Sequence, residues 1–284
     1  TDKRKFIVAD TPGHEQYTRN MVTGASNADL AVILIDARKG VIEQTKRHAF
    51  ICSLLGIKQV VLAINKMDLI DYDESIFHKI HDDFLAFSSQ LKFNTITPIP
   101  ISALKADNVV RRSANMTWFR GPTLMAMLET APIPNLASDN SLRFPVQWVN
   151  RPHLDFRGFS GTLAAGTVKP GDEVRVLPSG ATAKVEQIVL FEQTLESAQC
   201  GQAVTLTLDK EIDASRGDMI VSANSPCEVS DQFEVELVWM TSDQGFIGRS
   251  YGMQIGSNWV NAQITEIKHK TNVNTMETTP ARSL

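Results

Sequence analysis

The sequence predicts an α/β domain with a mostly parallel sheet, followed by a β-barrel domain and the start of a second β-barrel. Three observations carry this. Continuous apolar runs alternate with helical patterns over residues 1–131. A stretch with two prolines and several small polar residues, "APIPNLASDNS" (131–141), interrupts that alternation. Beyond it come only short strand-like runs separated by turn residues. The expected limits are a first domain at 1–131, a linker at 132–141, a barrel at 142–226 and a partial second barrel at 227–284.

Taken in order, the apolar runs of the first domain are "KFIVAD" (5–10), "LAVILID" (30–36), "VVLAIN" (60–65) and "ITPIPIS" (96–102). They are continuous rather than alternating in polarity, which suits strands covered on both faces. Helices are predicted over 44–56, 74–91 and 121–130; in the second, Ile76, Ile80, Phe84 and Phe87 recur at helical spacing. Strand–helix alternation of this kind means a parallel sheet. The barrel strands are "RFPVQWV", "SGTLAAGTV", "DEVRVL", "TAKVEQIVLF", "QAVTLTL" and "DMIVSA", with "KPGD" (169–172) and "PSG" (178–180) as turns. "QFEVELVWM" and "WVNAQITEIKHK" open the second β segment.

At 284 residues, 43% of them hydrophobic, the chain is long enough for two ordinary cores at about 150 residues each. Its formal net charge of −4 provides no overall positive field, so no nucleic-acid partner is expected. No apolar run approaches the roughly 18 residues of a membrane span. Cys52, Cys200 and Cys227 match no zinc or redox spacing and suit a reduced, cytoplasmic compartment. The chain opens at Thr1 and closes on "TTPARSL" in mid-pattern, so both ends are expected to be cuts within a longer sequence.

Three short motifs carry chemistry. "DTPGH" (10–14) ends the first run in Asp-x-x-Gly; Asp10 can face a Mg²⁺ shell, and Gly13 lets a backbone N–H approach a terminal phosphate. "INKMD" (64–68) places Asp68 where a guanine can donate N1–H and N2–H₂ to it, which an adenine cannot. Charge-assisted bonds of that kind are worth about 1.5–3 kcal/mol each; read alone, Asp68 equally suits a helix cap. "PISAL" (100–104) can turn a backbone N–H of the Ser102–Ala103 pair toward the guanine oxygen. Each motif is common by itself. All three close successive strands of one parallel pattern, and ligands bind at the carboxyl ends of such strands.

This combination resembles the GTPase superfamily, and "DTPGHEQYTRNMVTGA" resembles its translational, elongation factor Tu-type branch. "NRPHLDFRGFSGTL", "LIDARKGV", "LLGIKQVVLAINKMDL" and "EIDASRGD" are similar to the large, GTP-hydrolysing subunits of bacterial ATP sulfurylase (sulfate adenylyltransferase), over nearly the whole chain to about Lys270. The resemblance implies GTP and Mg²⁺ as cofactors. It implies Asp10, Thr11, Pro12 and Gly13 at the phosphate end, with Asp10 reaching Mg²⁺ through water, and His14 positioning the attacking water. It also implies Asn65, Lys66, Met67, Asp68, Ser102, Ala103 and Leu104 at the base end. The implied partner is a smaller catalytic subunit that joins sulfate to ATP, giving adenosine 5′-phosphosulfate and pyrophosphate, with GTP hydrolysis coupled to drive it. A translation elongation factor-like GTPase is the alternative.

The resemblance also implies a G-x-x-x-x-G-K-[S/T] phosphate loop, and no such match occurs in these residues. The first strand and that loop are therefore missing here, and their strand belongs between 5–10 and 30–36. The expectation is a gap with no ladder joining those two runs, and weak GTP binding by these residues alone. Three further features are read modestly. "SRGD" (215–218) is a turn; Arg151, His153 and Arg157 are a partner or interdomain contact; Phe84, Phe87, Phe93, Trp118 and Phe119 anchor core and loops.

Overall fold

The computed structural model describes residues 1–11, 18–132, 141–153, 156–191, 193–241, 243–272, 275 and 277–284. They form two compact units: 1–133 with 236–246 and 266–284, and 134–235 with 247–265. Residues 227–284, read above as one segment, are thus shared between the two.

The first unit runs α1 (Thr18–Ala25), β1 (Leu30–Asp36), α2 (Glu43–Leu54), β2 (Gln59–Asn65), α3 (Glu74–Ser88), β3 (Thr95–Pro100) and α4 (Leu124–Thr130). The three strands lie parallel in the order β1-β2-β3, with Asp36 opposite Asn65 and Ile64 opposite Pro100. Because the strands are parallel and in register, their carboxyl ends fall on one rim. Central β2 is buried from Gln59 to Ile64, as an apolar run with neighbours on both sides should be. Edge strand β1 buries Ile33 and Ile35 and leaves Val32 and Leu34 exposed. Asp73 caps α3 by accepting from Ser75 N (2.7 Å) and Ile76 N (3.2 Å). That helix buries Phe77, Ile80, Phe84 and Ser88, so its inward stripe starts one residue later than the spacing of Ile76 suggested. Phe87, Phe93, Trp118 and Phe119 pack against the core that holds Phe84.

The run 5–10 is not a strand. Ile7 and Val8 are 97% and 83% exposed, and no ladder joins them to β1. A strand exists by pairing and packing rather than by its own propensity, and among the described residues this run has no neighbour to pair with. It is held differently: Arg4 Nη1 donates to Leu128 O (2.9 Å) and Ala131 O (2.7 Å) at the end of α4, where a helix leaves its carbonyls unsatisfied. Farther on, Thr11 Cγ2 lies where a Cβ on Gly24 of α1 would come within 2.8 Å of it.

In the second unit, β4 (Arg143–Pro145), β5 (Trp148–Asn150), β6 (Gly158–Thr162), β7 (Thr167–Val168), β8 (Glu173–Leu177), β9 (Thr182–Leu190), β10 (Gln193–Leu195), β11 (Ala198–Gln199), β12 (Ala203–Leu208) and β13 (Met219–Ser222) follow one another. The sheet path is β4-β13-β8-β9-β12-β6-β5. Since β4 and β5 are consecutive pieces of one bent segment, the path returns on itself and the barrel closes, as the strand spacing predicted. Phe144, Phe159, Val174, Val176, Val185, Ile188, Leu206 and Ile220 fill it. Gly161 stands where a Cβ would collide with the Pro145 carbonyl oxygen, so the bend can close only on a glycine. "SRGD" is a turn, with Ser215 N donating to Asp218 Oδ2 (2.8 Å).

The run 232–240 is also not a strand: Phe233, Val235 and Leu237 are exposed and lie on no ladder. The second run is a strand over only part of its length, β15 (Asn258–Gln263), which pairs with β14 (Ser250–Ile255).

Candidate functional site

The rim at the carboxyl ends of β1, β2 and β3 collects Asp36, Asn65 and, two residues past β3, Ser102. Asn65 organises it. Its Oδ1 accepts from Lys66 N (2.7 Å) and from Ala103 N (3.0 Å), joining the two motif loops through one side-chain oxygen. Lys66 takes a left-handed conformation (φ 67°), which swings the chain from strand into the short 3₁₀ turn Met67–Ile70. Met67 is fully buried and its N–H donates to Ile101 O (3.2 Å), so a second bond joins the same loops. Ser102 is buried; its Oγ accepts from Lys105 N (3.1 Å). Asp68 is half-buried, and Ala103 and Leu104 are exposed.

Asp36 is a member of this rim that the sequence reading left out. Its Oδ2 lies 2.9 Å from Lys66 Nζ and 2.6 Å from Arg38 Nη2. The Arg38 guanidinium hydrogen bonds hold its carboxyl well below the usual carboxylate range, against the opposing cost of its partial burial, with Lys66 adding to the effect. Asp36 therefore stays charged and fixes Lys66. Its only sequence signal is position: "LID" ends a strand in register with "AIN".

At the other end, Asp10 is exposed and Thr11 half-buried. Pro12, Gly13 and His14 lie outside the described residues. Among the described residues no group of three or more His, Cys, Asp or Glu side chains is gathered for a metal ion. Asp10, the carboxylate the sequence offers to Mg²⁺, is thus in no such group among the described residues, and as a candidate it would suit a water-mediated contact rather than a closed protein cage. Among the described residues, the Asp68 carboxylate and the Asn65 amide nitrogen make no hydrogen bond to the protein. The Ala103 N–H is already taken by Asn65.

Arg151 and Arg157 of the barrel are not open to an anion. Arg151 pairs with Glu211 (3.1 Å), and Arg157 with Glu211 (3.4 Å) and Asp213 (3.7 Å). The Arg157 guanidinium also lies over the Phe159 ring. Burial pushes the Cys52 thiol up to about 11, which makes it an inert core residue. No described helix is long and apolar enough to cross a membrane.

Residues 1–138 match the family described as the Elongation factor Tu GTP binding domain, and residues 232–284 the one described as GTP-eEF1A C-terminal domain-like. The first of these matches makes residues 1–138 similar to elongation factor Tu-type GTP-binding domains. Over nearly its whole length it is similar to sulfate adenylyltransferase subunit 1. It is 56% identical to that protein of Cellvibrio japonicus (strain Ueda107), over 98% of this chain and 59% of the relative. It is 53% identical to that of Laribacter hongkongensis (strain HLHK9), over 100% and 59%. The bifunctional enzyme NodQ of Rhizobium sp. (strain N33) is 52% identical over 100% of this chain and 44% of its own length. A solved structure of Sup35 complexed with GMPPNP is similar at 24% identity and a TM-score of 0.47, over 91% of this chain and 67% of that one. The resemblance read from the sequence is borne out by these relatives, and the chain spans about three fifths of the length of the sulfate adenylyltransferase subunits it matches.

Proposed function

We propose that this chain is the GTP-binding part of a sulfate adenylyltransferase, coupling GTP hydrolysis to the formation of adenosine 5′-phosphosulfate and pyrophosphate from ATP and sulfate. The observation that carries the reading is the 51–56% identity, over nearly every residue of the chain, to proteins named sulfate adenylyltransferase subunit 1. The name subunit 1 supports a partner, which we take to be a smaller catalytic subunit that performs the sulfate chemistry in the cytoplasm. The domain limits given from the sequence are kept as part of this reading.

The roles follow the rim. Asp68 accepts the two guanine donors, and the Asn65 amide nitrogen is left to donate to the base because its oxygen is spent on the loops. Lys66, Met67 and Ser102 shape the pocket floor, Leu104 offers an exposed apolar side chain to the base face, and Ala103 fixes the loop. Asp10, Thr11, Pro12 and Gly13 face the phosphates, Asp10 holding a water of the Mg²⁺ shell. His14 orients the water that attacks the terminal phosphorus. When bound, Mg²⁺ neutralises charge on the phosphate oxygens.

The test follows pyrophosphate release from ATP by the protein purified with whatever binds it, with and without sulfate and GTP. Release that requires sulfate and rises with GTP, while GTP is hydrolysed in step, is expected. GTP hydrolysis indifferent to sulfate and ATP would overturn the reading in favour of a translation factor-like GTPase.

A further inference from the structure

The connection from β3 to α4, residues 101–123, is longer than a loop between a strand and a helix needs to be. It is also fixed. Asn108 is buried; its amide donates to Pro100 O (3.0 Å) and its oxygen accepts from Ser113 N (2.9 Å). Ser102 and Asp107 exchange two backbone bonds, at 3.2 and 3.0 Å. The Trp118 indole donates to Tyr72 O (3.2 Å), pinning the far side. Ala106 (φ 59°) and Asn108 (φ 53°), neither of them glycine, flank Asp107 in the left-handed region. Backbone strain of that kind persists where the surroundings over-determine it, and it gathers at functional sites.

This fixed connection borders an open, solvent-facing cavity of about 400 Å³ lined by Lys105, Ala106, Asp107, Val110, Arg111 and Arg112. Three of those six residues are cations. The one carboxylate is spent inward: Asp107 Oδ2 accepts from the Tyr72 hydroxyl (3.1 Å) and Oδ1 from the Ser113 hydroxyl (2.7 Å). Among the described residues no carboxylate pairs with Lys105, Arg111 or Arg112; Arg112 donates only to the Arg120 carbonyl (3.3 Å). The barrel's Arg151 and Arg157 are the opposite case, each answered by an acidic side chain.

We propose that this cavity binds a tetrahedral oxyanion of the sulfate or phosphate class, either free or as the terminal group of a nucleotide. A guanidinium presents its donors as a planar fork that matches such oxygens two at a time, and a lysine adds a mobile point charge. The cavity lies outside the residues assigned to guanine, so the proposal does not depend on that assignment.

The experiment is calorimetric titration of the full chain with inorganic sulfate and, separately, with ADP. It is repeated on the Arg111→Gln/Arg112→Gln double variant and on Lys105→Gln alone. These side chains are exposed, so melting curves should be unchanged. Saturable binding of at least one ligand is expected, weakened about tenfold in the double variant, the loss of one charge-assisted hydrogen bond. Sulfate binding without ADP binding identifies a free oxyanion, and the reverse a nucleotide-borne group. Should the double variant fold poorly, a severalfold loss in Lys105→Gln supports the same site. No saturable binding of either ligand, or equal affinity in native and variant chains, overturns the proposal.

Discussion

Residues 5–10 and 59–65 are built from the same kind of side chain, short and largely β-branched or apolar, yet only the second forms a strand. Gln59 to Ile64 are buried, with β1 paired on one side and β3 on the other. Ile7 and Val8 stand almost fully exposed, and their stretch is tied down through Arg4 to the end of α4 instead. The lesson is that an apolar run becomes a strand only when something supplies the ladder and the cover. The same contrast divides the candidate site. The base-end loops inherit the rigidity of β2 and β3 and are locked together by Asn65 and Met67. Asp10 and Thr11, by contrast, follow a run that lies on no ladder.

The contrast can be broken most directly by truncation. Ile64→Ala, in fully buried β2, should cost about 2–5 kcal/mol of stability by chemical denaturation. Val8→Ala should cost under about 0.5 kcal/mol, as expected of an exposed side chain. Comparable losses at both positions would mean that 5–10 is packed after all. Next in size is Asn65→Ala, which leaves the Lys66 and Ala103 N–H groups without their acceptor. It should lower stability by about 1–3 kcal/mol and weaken guanine-nucleotide binding at least as much as it loosens the loops. Binding and amide exchange of residues 102–104 unchanged from the native chain would refute the linking role.

The smallest effect concerns Asp36. Its folded pKa is depressed, so its contribution to stability is present above the unfolded carboxylate value of about 3.9 and lost as pH falls through the folded one. The native chain should lose stability below about pH 4, and Asp36→Asn should flatten that limb by lowering the neutral-pH stability toward the acid value, by a small amount because the pair is partly exposed. Identical acid limbs in the two proteins would show that Asp36 does not hold Lys66.

Much of this was legible in the sequence because period and punctuation are local. The parallel core strands, the closed barrel and the turn at 215–218 all follow from runs bounded by proline, glycine and small polar residues. What was hidden depended on partners distant in the chain. Nothing in "KFIVAD" or "QFEVELVWM" announces the lack of a neighbour. In α3 Ile80 and Phe84 are buried, but Phe77 goes deeper than Ile76, since the two are equally apolar and only packing chooses between them. Asp36 carries a signal solely through its register with Asn65, and Asn108 carries none, because its buried bond to the Pro100 carbonyl belongs to the tertiary structure. The base-end motifs were found because each sits at the end of a strand that does form.

The central claim is that the rim formed by Asn65, Asp68 and Ala103 selects guanine. The measurement that tests it most directly is competition between GDP and xanthosine diphosphate for the native chain and for Asp68→Asn, at concentrations high enough for weak binding. An amide in place of the carboxylate turns an acceptor pair into a mixed donor and acceptor. The account therefore predicts that the native chain prefers GDP and that Asp68→Asn reverses the order. The same preference in both proteins would contradict it.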